Sequence, residues 1–314
     1  MTQLRKLDKL ELSHSSRMLG GSCWRKLEFR KFYNSSRFEE SMATGSGTAL
    51  HAGIQNYVVS KDKDEAIFEM MMAYPIQFQK SPMDARSIET AYGTQMKAME
   101  SDKLGEWEVA MVEHPTDGLI PAVEIPFCLR IAELPWYEDG KPIQIDFIGY
   151  IDLIMYNKLE DQYAVWDIKT TTKDAAVSDM FKFDEQCLPY GLVLQALLGL
   201  DYTRGFEVGY WTQYMHILEG REQLYTAIKD GTDVQEWLTG YMIDLYAIRQ
   251  FYQMGWFPRR SSGCSQWNRN CSYMDFCESR DANTIENMIA ADNVNYKKSD
   301  RAEPWIVVDL QVEG

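Results

Sequence analysis

The chain has 314 residues, 45% of them hydrophobic, and a formal net charge of −15 from 32 basic and 47 acidic side chains. That length can bury a substantial core, and the acidic balance argues against a protein that coats duplex DNA with one broad basic surface, though not against a local basic groove. "MTQLRKLDKLELSHSS" lacks the apolar core of a signal peptide, and no apolar run reaches ~18 residues, so a soluble, cytoplasmic protein with no membrane partner is expected. In that compartment six cysteines are expected as metal ligands or core residues rather than disulfides.

In chain order, residues 15–33 mix Ser, a Gly pair, Cys23 and a run of basic and aromatic residues. "SMATGSGTALHAGIQNYVV" reads as a small-residue turn leading into a helix with His51 near its start. Residues 61–113, rich in Met, Ala, Glu and Lys, read as two or three helices broken around Pro75 and Pro82. From 119 the pattern turns to β: "LIPAVEIPFCLRIAEL", "IQIDFIGYIDLIMY" and "QYAVWDIKTT" alternate, with turns at "YEDGKP" and "NKLED". A helix is expected around 179–199, with Pro189 inside it at the cost of a backbone hydrogen bond, then a strand in "GFEVGYWTQY". Val234, Trp237, Leu238, Tyr241, Leu245, Ile248 and Tyr252 recur at helical spacing over 232–254. The order predicts an α/β fold, a sheet covered by helices on its faces. "EPWIVVDL", near residue 305, reads as either a last strand or a docking segment.

The hairpin "IGYIDLIMYNKLEDQYAVWDIKTT" carries charges where its apolar pattern asks for core. Side chains two apart on a strand share a face, so Asp167 and Lys169 point together. A turn near Leu159 sets Asp152 beside residues 166–167, and the two carboxylates then converge next to the lysine. Convergent carboxylates repel unless a cation lies between them, and hard oxygen donors select Mg²⁺ or Mn²⁺. A lysine beside such an ion can orient a water or stabilise charge on a phosphate. The alternative is a surface salt bridge on an exposed strand face.

Gly149-x-x-Asp152 followed by Asp167-x-Lys169, with an acidic strand residue at Glu124, resembles the PD-(D/E)XK nuclease superfamily, specifically its RecB-like branch. The resemblance spans residues 13–280 in the right order; position 151 is Ile where many members have Pro. It implies a restriction-endonuclease-like core, a mixed central sheet flanked by helices. It further implies that His51 supplies a metal ligand from a helix, and that Gln186 and Tyr190 form the Q-x-x-x-Y motif on one helix face. Taken alone, His51 reads as an ordinary helix histidine, and Gln186 with Tyr190 as a half-buried amphipathic face.

Cys264, Cys271 and Cys277 form C-x6-C-x5-C, and with Cys128 and Cys187 in core elements the best fourth ligand is Cys23. In RecB-like nucleases similar to the AddB domains and the CRISPR adaptation nucleases, one early and three late cysteines hold a [4Fe–4S] cluster. Here that cluster would tie residue 23 to residue 264 across the chain. A zinc site or unrelated buried thiols are the alternatives. "CWRKLEFRKFY" interleaves Arg25, Lys26, Arg30 and Lys31 with aromatic residues, and Arg17 lies upstream; such a patch suits a DNA end, or is a solvated helix face.

The expectation is one nuclease domain over 1–314. Its parts are 13–57 with Cys23 and His51, a helical insertion at 58–115, the catalytic sheet and helix at 119–215, a helix and Cys-rich segment at 232–280, and a tail at 281–314. The resemblance implies a metal-dependent deoxyribonuclease, an exonuclease at DNA ends in recombination, repair or phage DNA metabolism. The other reading is a non-catalytic DNA-end-binding or assembly subunit with the same fold. No G-x-x-x-x-G-K-[ST] occurs, so unwinding would come from a helicase or recombination partner.

Overall fold

The computed structural model describes residues 6–35, 42–76, 84–101, 104–172, 181–199, 205–215, 220–266, 269–279, 281–293 and 302–310. In chain order the elements are β1 (Lys9–Leu12), α1 (His14–Ser22), α2 (Trp24–Lys31), α3 (Met42–Ser60), α4 (Lys63–Ala73), α5 (Ile88–Met99), β2 (Trp107–Val109), β3 (Met111–His114), β4 (Gly118–Pro121), β5 (Val123–Pro135), β6 (Pro142–Asn157) and β7 (Gln162–Thr171). They continue with α6 (Cys187–Leu198), β8 (Phe206–Tyr214), β9 (Arg221–Lys229), α7 (Gly231–Met254), β10 (Ser265–Gln266), β11 (Arg269–Asn270), α8 (Met274–Glu278), α9 (Ala282–Asn293) and β12 (Ile306–Asp309). The chain divides into two compact units, one of residues 40–127 and 150–237, the other of 1–39, 128–149 and 238–314.

In the first unit β6 and β7 form the expected antiparallel hairpin, Leu153 opposite Trp166 through Asn157 opposite Gln162. β7 then pairs parallel with β8 across a connection that contains α6, and β8 pairs antiparallel with β9. The sheet is therefore mixed, as a crossover helix requires. Its core joins Leu153, Met155, Ala164, Trp166, Ile168 and Trp211 of the strands to Ile54 and Val58 of α3 and Ala98 of α5. α6 seats closely because it presents Gly191 to the sheet: a Cβ there would lie 1.9 Å from the Phe206 ring.

In the second unit β1 runs parallel to β6, from Lys9 opposite Gln144 to Leu12 opposite Phe147. β12 lies beside β5, where Leu310 N–H donates to Arg130 O at 3.0 Å, so the tail segment is a last strand. Phe29, Tyr273, Phe276, Ile285 and Ile289 form a separate buried cluster.

Three expectations change. The small residues at 42–49 belong to α3 itself, and His51 sits mid-helix. They are small because the helix passes close to other chain segments: a Cβ on Gly45 would come 2.4 Å from Pro75, and one on Gly47 2.9 Å from Thr170 Oγ1. The helical stretch ends at Met99, so β2 and β3 occupy the end of the expected insertion. Pro189 costs nothing, because α6 starts at Cys187 and a first-turn N–H has no intrahelical acceptor to lose. Among the described residues no helix is long and apolar enough to cross a membrane.

Candidate active site

All the expected catalytic residues lie in the unit of 40–127 and 150–237. The hairpin register, continued one step past Leu153 and Trp166, sets Asp152 opposite Asp167. Asp152 Oδ2 accepts the Ile168 backbone N–H at 2.9 Å. His51 of α3 brings Nδ1 to 3.8 Å from the same oxygen.

One turn on, Gln55 faces the same way, and its Nε2 donates to Glu124 Oε1 at 2.5 Å. Glu124 sits in β5 with φ +51°, a left-handed conformation uncommon outside glycine. Its carboxylate lies near the histidine: one donor atom each from His51, Glu124 and Asp152 lies within 4.8 Å of the other two.

On β7, alternation sends Trp166 and Ile168 to the core and Asp167 and Lys169 to the opposite face. Asp167 is 1% exposed, and Lys169 Nζ stands 2.6 Å from its Oδ2. Lys169 Nζ also donates to Gln186 Oε1 at 2.6 Å. The Gln186 Nε2 amide donates to Asp167 Oδ1 (2.9 Å) and to Tyr190 Oη (3.1 Å). Gln186 therefore fixes the ammonium, the buried carboxylate and the phenol at once. It is held in turn by Asp184, whose Oδ1 accepts the Gln186 backbone N–H at 2.6 Å.

Burial, and then the neighbouring Asp167 charge, holds the Asp152 carboxyl well above the usual carboxylate range. Burial raises Asp167 too, against the pull of Lys169. For Lys169, burial works against the ammonium, but the Asp167 carboxylate outweighs it and the net direction is up. Burial first, then the Lys169 charge, lowers His51 to about 4, which leaves a neutral imidazole with a lone pair to give. Crowded carboxylates with one imidazole nitrogen are a donor set that fits a divalent cation, and such an ion would relieve their repulsion.

Residues 11–278 match the sequence pattern of the PD-(D/E)XK nuclease superfamily. The chain belongs to that superfamily. The mixed sheet flanked by helices is the restriction-endonuclease-like architecture of this superfamily, whose members use divalent metals and act on DNA. Among solved structures, that of a "Putative exonuclease" from Eubacterium rectale is similar at 11% identity and a TM-score of 0.45, over 83% of this chain and 82% of that one. A protein designated SSO0001 is similar at 16% identity and a TM-score of 0.22, over 67% and 79%. No curated protein matches.

In this PD-(D/E)XK chain the four cysteines named as cluster ligands, Cys23, Cys264, Cys271 and Cys277, lie in the other unit. Cys23 is buried between α1 and α2, and Arg260 N–H donates to its Sγ at 3.4 Å. A Cβ on Gly263 would lie 3.0 Å from Cys23 Cβ and 2.8 Å from Ser22 O, so glycine lets the Cys264 loop approach Cys23. Cys271 N–H donates to Cys264 O at 2.8 Å. Burial foremost pushes the Cys277 thiol up to about 11; Arg25 opposes this and the nearby Cys23 and Cys271 add to it. The four are thus brought into one neighbourhood, while Cys128 and Cys187 stay in buried strand and helix positions.

Much of the basic stretch is engaged within the fold. Arg17 clamps Asp244 through Nε and Nη2, both at 2.9 Å, and lies over the Tyr241 ring. Arg25 pairs with Glu28 at 2.5 Å, Arg30 donates to Ser35 O, and Lys31 donates to Glu11 O. Lys26 is half-buried. Trp24, Phe29 and Phe32 are buried core residues, while Tyr33 is partly buried against the Phe29 cluster.

Sequence reasoning named Glu124 only as an acidic strand residue and passed over Gln55. The signal for Gln55 was present, four residues beyond His51 on the same helix face.

Proposed function

We propose that the chain is a Mg²⁺- or Mn²⁺-dependent deoxyribonuclease of the RecB-like branch, working as an exonuclease from DNA ends. The observation that carries this reading is the convergence, within one unit, of His51, Glu124 and Asp152 beside the Asp167–Lys169 pair. His51, Glu124, Asp152 and Asp167 would hold the ion. When bound, it supplies charge neutralisation at the phosphate and lowers the pKa of a water.

The remaining work falls to the chain's own groups. Lys169, charged and aimed by Asp167 and Gln186, orients the attacking water and stabilises charge developing on the phosphate oxygens. Gln186 and Tyr190 keep that ammonium and the Asp167 carboxylate in place. Lys26 and the outer edges of Arg25 and Arg30 are the candidates for phosphate contact in the other unit.

Cys23, Cys264, Cys271 and Cys277 hold a [4Fe–4S] cluster in this proposal, as a staple between distant parts of the chain. The two units count as parts of one nuclease domain, since the family match runs through both. The setting is recombination, repair or phage DNA metabolism, with unwinding left to a partner protein.

End dependence tests the exonuclease reading. With Mn²⁺, linear single strands and linear duplexes should be degraded while closed single-stranded circles survive. Equal cleavage of circles would make the enzyme an endonuclease.

A further inference from the structure

The turn that leads into α6 is tied down on three sides. Phe181 stacks on Tyr210, centroids 4.3 Å apart and planes 7° from parallel, and packs against Tyr225 at 5.5 Å. Lys229, itself 2% exposed, spends its ammonium on the Lys182 carbonyl at 2.5 Å. Asp184 accepts the Gln186 backbone N–H. Burying a lysine ammonium is costly, and this one is used to hold the turn. Yet the same turn leaves one large ring outside: Phe183 is 84% exposed, the most exposed of the large hydrophobic side chains described.

Held in water on an anchored turn, the ring has little part in the packing of the fold. Its position gives it another. Phe183 stands three residues before Gln186, so their Cα atoms are at most about 11 Å apart. Gln186 itself touches Asp167 and Lys169. A phosphodiester cleaved beside Lys169 would carry a neighbouring base within reach of the ring. Every base presents a π-face, so one phenyl ring serves any sequence.

We propose that Phe183 is a stacking platform for a nucleobase next to the scissile phosphate, which seats a DNA strand in the catalytic pocket. This rests on the nuclease reading. The anchored turn lets the ring meet the base without first being ordered, so the contact loses little to conformational entropy.

The test uses a Lys169→Ala background, so that DNA is bound and not cut, with Mn²⁺ and short single-stranded oligonucleotides carrying one abasic nucleotide at successive positions. With Phe183 present, one position should weaken binding by about 5- to 150-fold, the equivalent of ~1–3 kcal/mol per stacked base. Phe183→Ala should erase that penalty at that position alone, and Phe183→Trp should restore it. A scan with the same profile in Phe183 and Phe183→Ala proteins would overturn the proposal while leaving the nuclease reading intact. No binding of any oligonucleotide would overturn both.

Discussion

Glu28 carries a pH dependence that the buried Arg25 pair does not cancel. Its side chain is 1% exposed, and burial foremost raises its pKa from the ordinary 4.5 to about 7, with Arg25 pulling the other way. The folded state therefore binds this proton more tightly than the unfolded chain. Stability from the group is complete below about pH 4.5 and is lost as pH rises to about 7, at roughly 1.4 kcal/mol per pH unit across that window. Between pH 5 and pH 8 the loss comes to about 2–3 kcal/mol. Glu28→Gln keeps the shape and removes the titration. Urea unfolding at pH 5 and pH 8 should show the wild type losing about 2–3 kcal/mol more than Glu28→Gln between the two. Equal losses in the two proteins would refute the reasoning, and would mean that the Arg25 contact at 2.5 Å keeps Glu28 ionised throughout.

Two further outcomes follow from the same geometry. Gln186→Ala should lower kcat by about 10²-fold with little change in KM for DNA, because the Lys169 ammonium loses one of the two groups that aim it; an unchanged kcat would remove Gln186 from the catalytic arrangement. Protein purified without oxygen should be brown, with about four iron atoms per chain, and Cys277→Ser should lose the colour; a colourless, zinc-loaded protein would contradict the cluster.

The hairpin was the most legible part of the chain, since alternation decides which residues share a face and the "NKLED" turn sets the register. Asp152, Asp167 and Lys169 therefore came out of local pattern. Glu124 did not, because its partner is a helix amide 69 positions away. The partners of the basic stretch were illegible for a related reason. Sequence shows charges but not their partners, and Asp244, which takes up Arg17, lies 227 positions on. Strands β1 and β9 were missed because they are short or partly exposed, so β9 never shows a sustained apolar face. The small-residue run of α3 looked like a turn, although its glycines serve close packing against Pro75 and Thr170.

The central claim is that Asp152, Asp167 and Lys169 form a working metal-dependent nuclease site. It is tested most directly by incubating end-labelled linear DNA with Mn²⁺ and the wild type, Asp152→Ala or Lys169→Ala protein. The account predicts degradation by the wild type alone, abolished by a chelator. Equal degradation by all three proteins, or none by a folded, metal-supplied wild type, would contradict it and leave a DNA-end-binding subunit in its place.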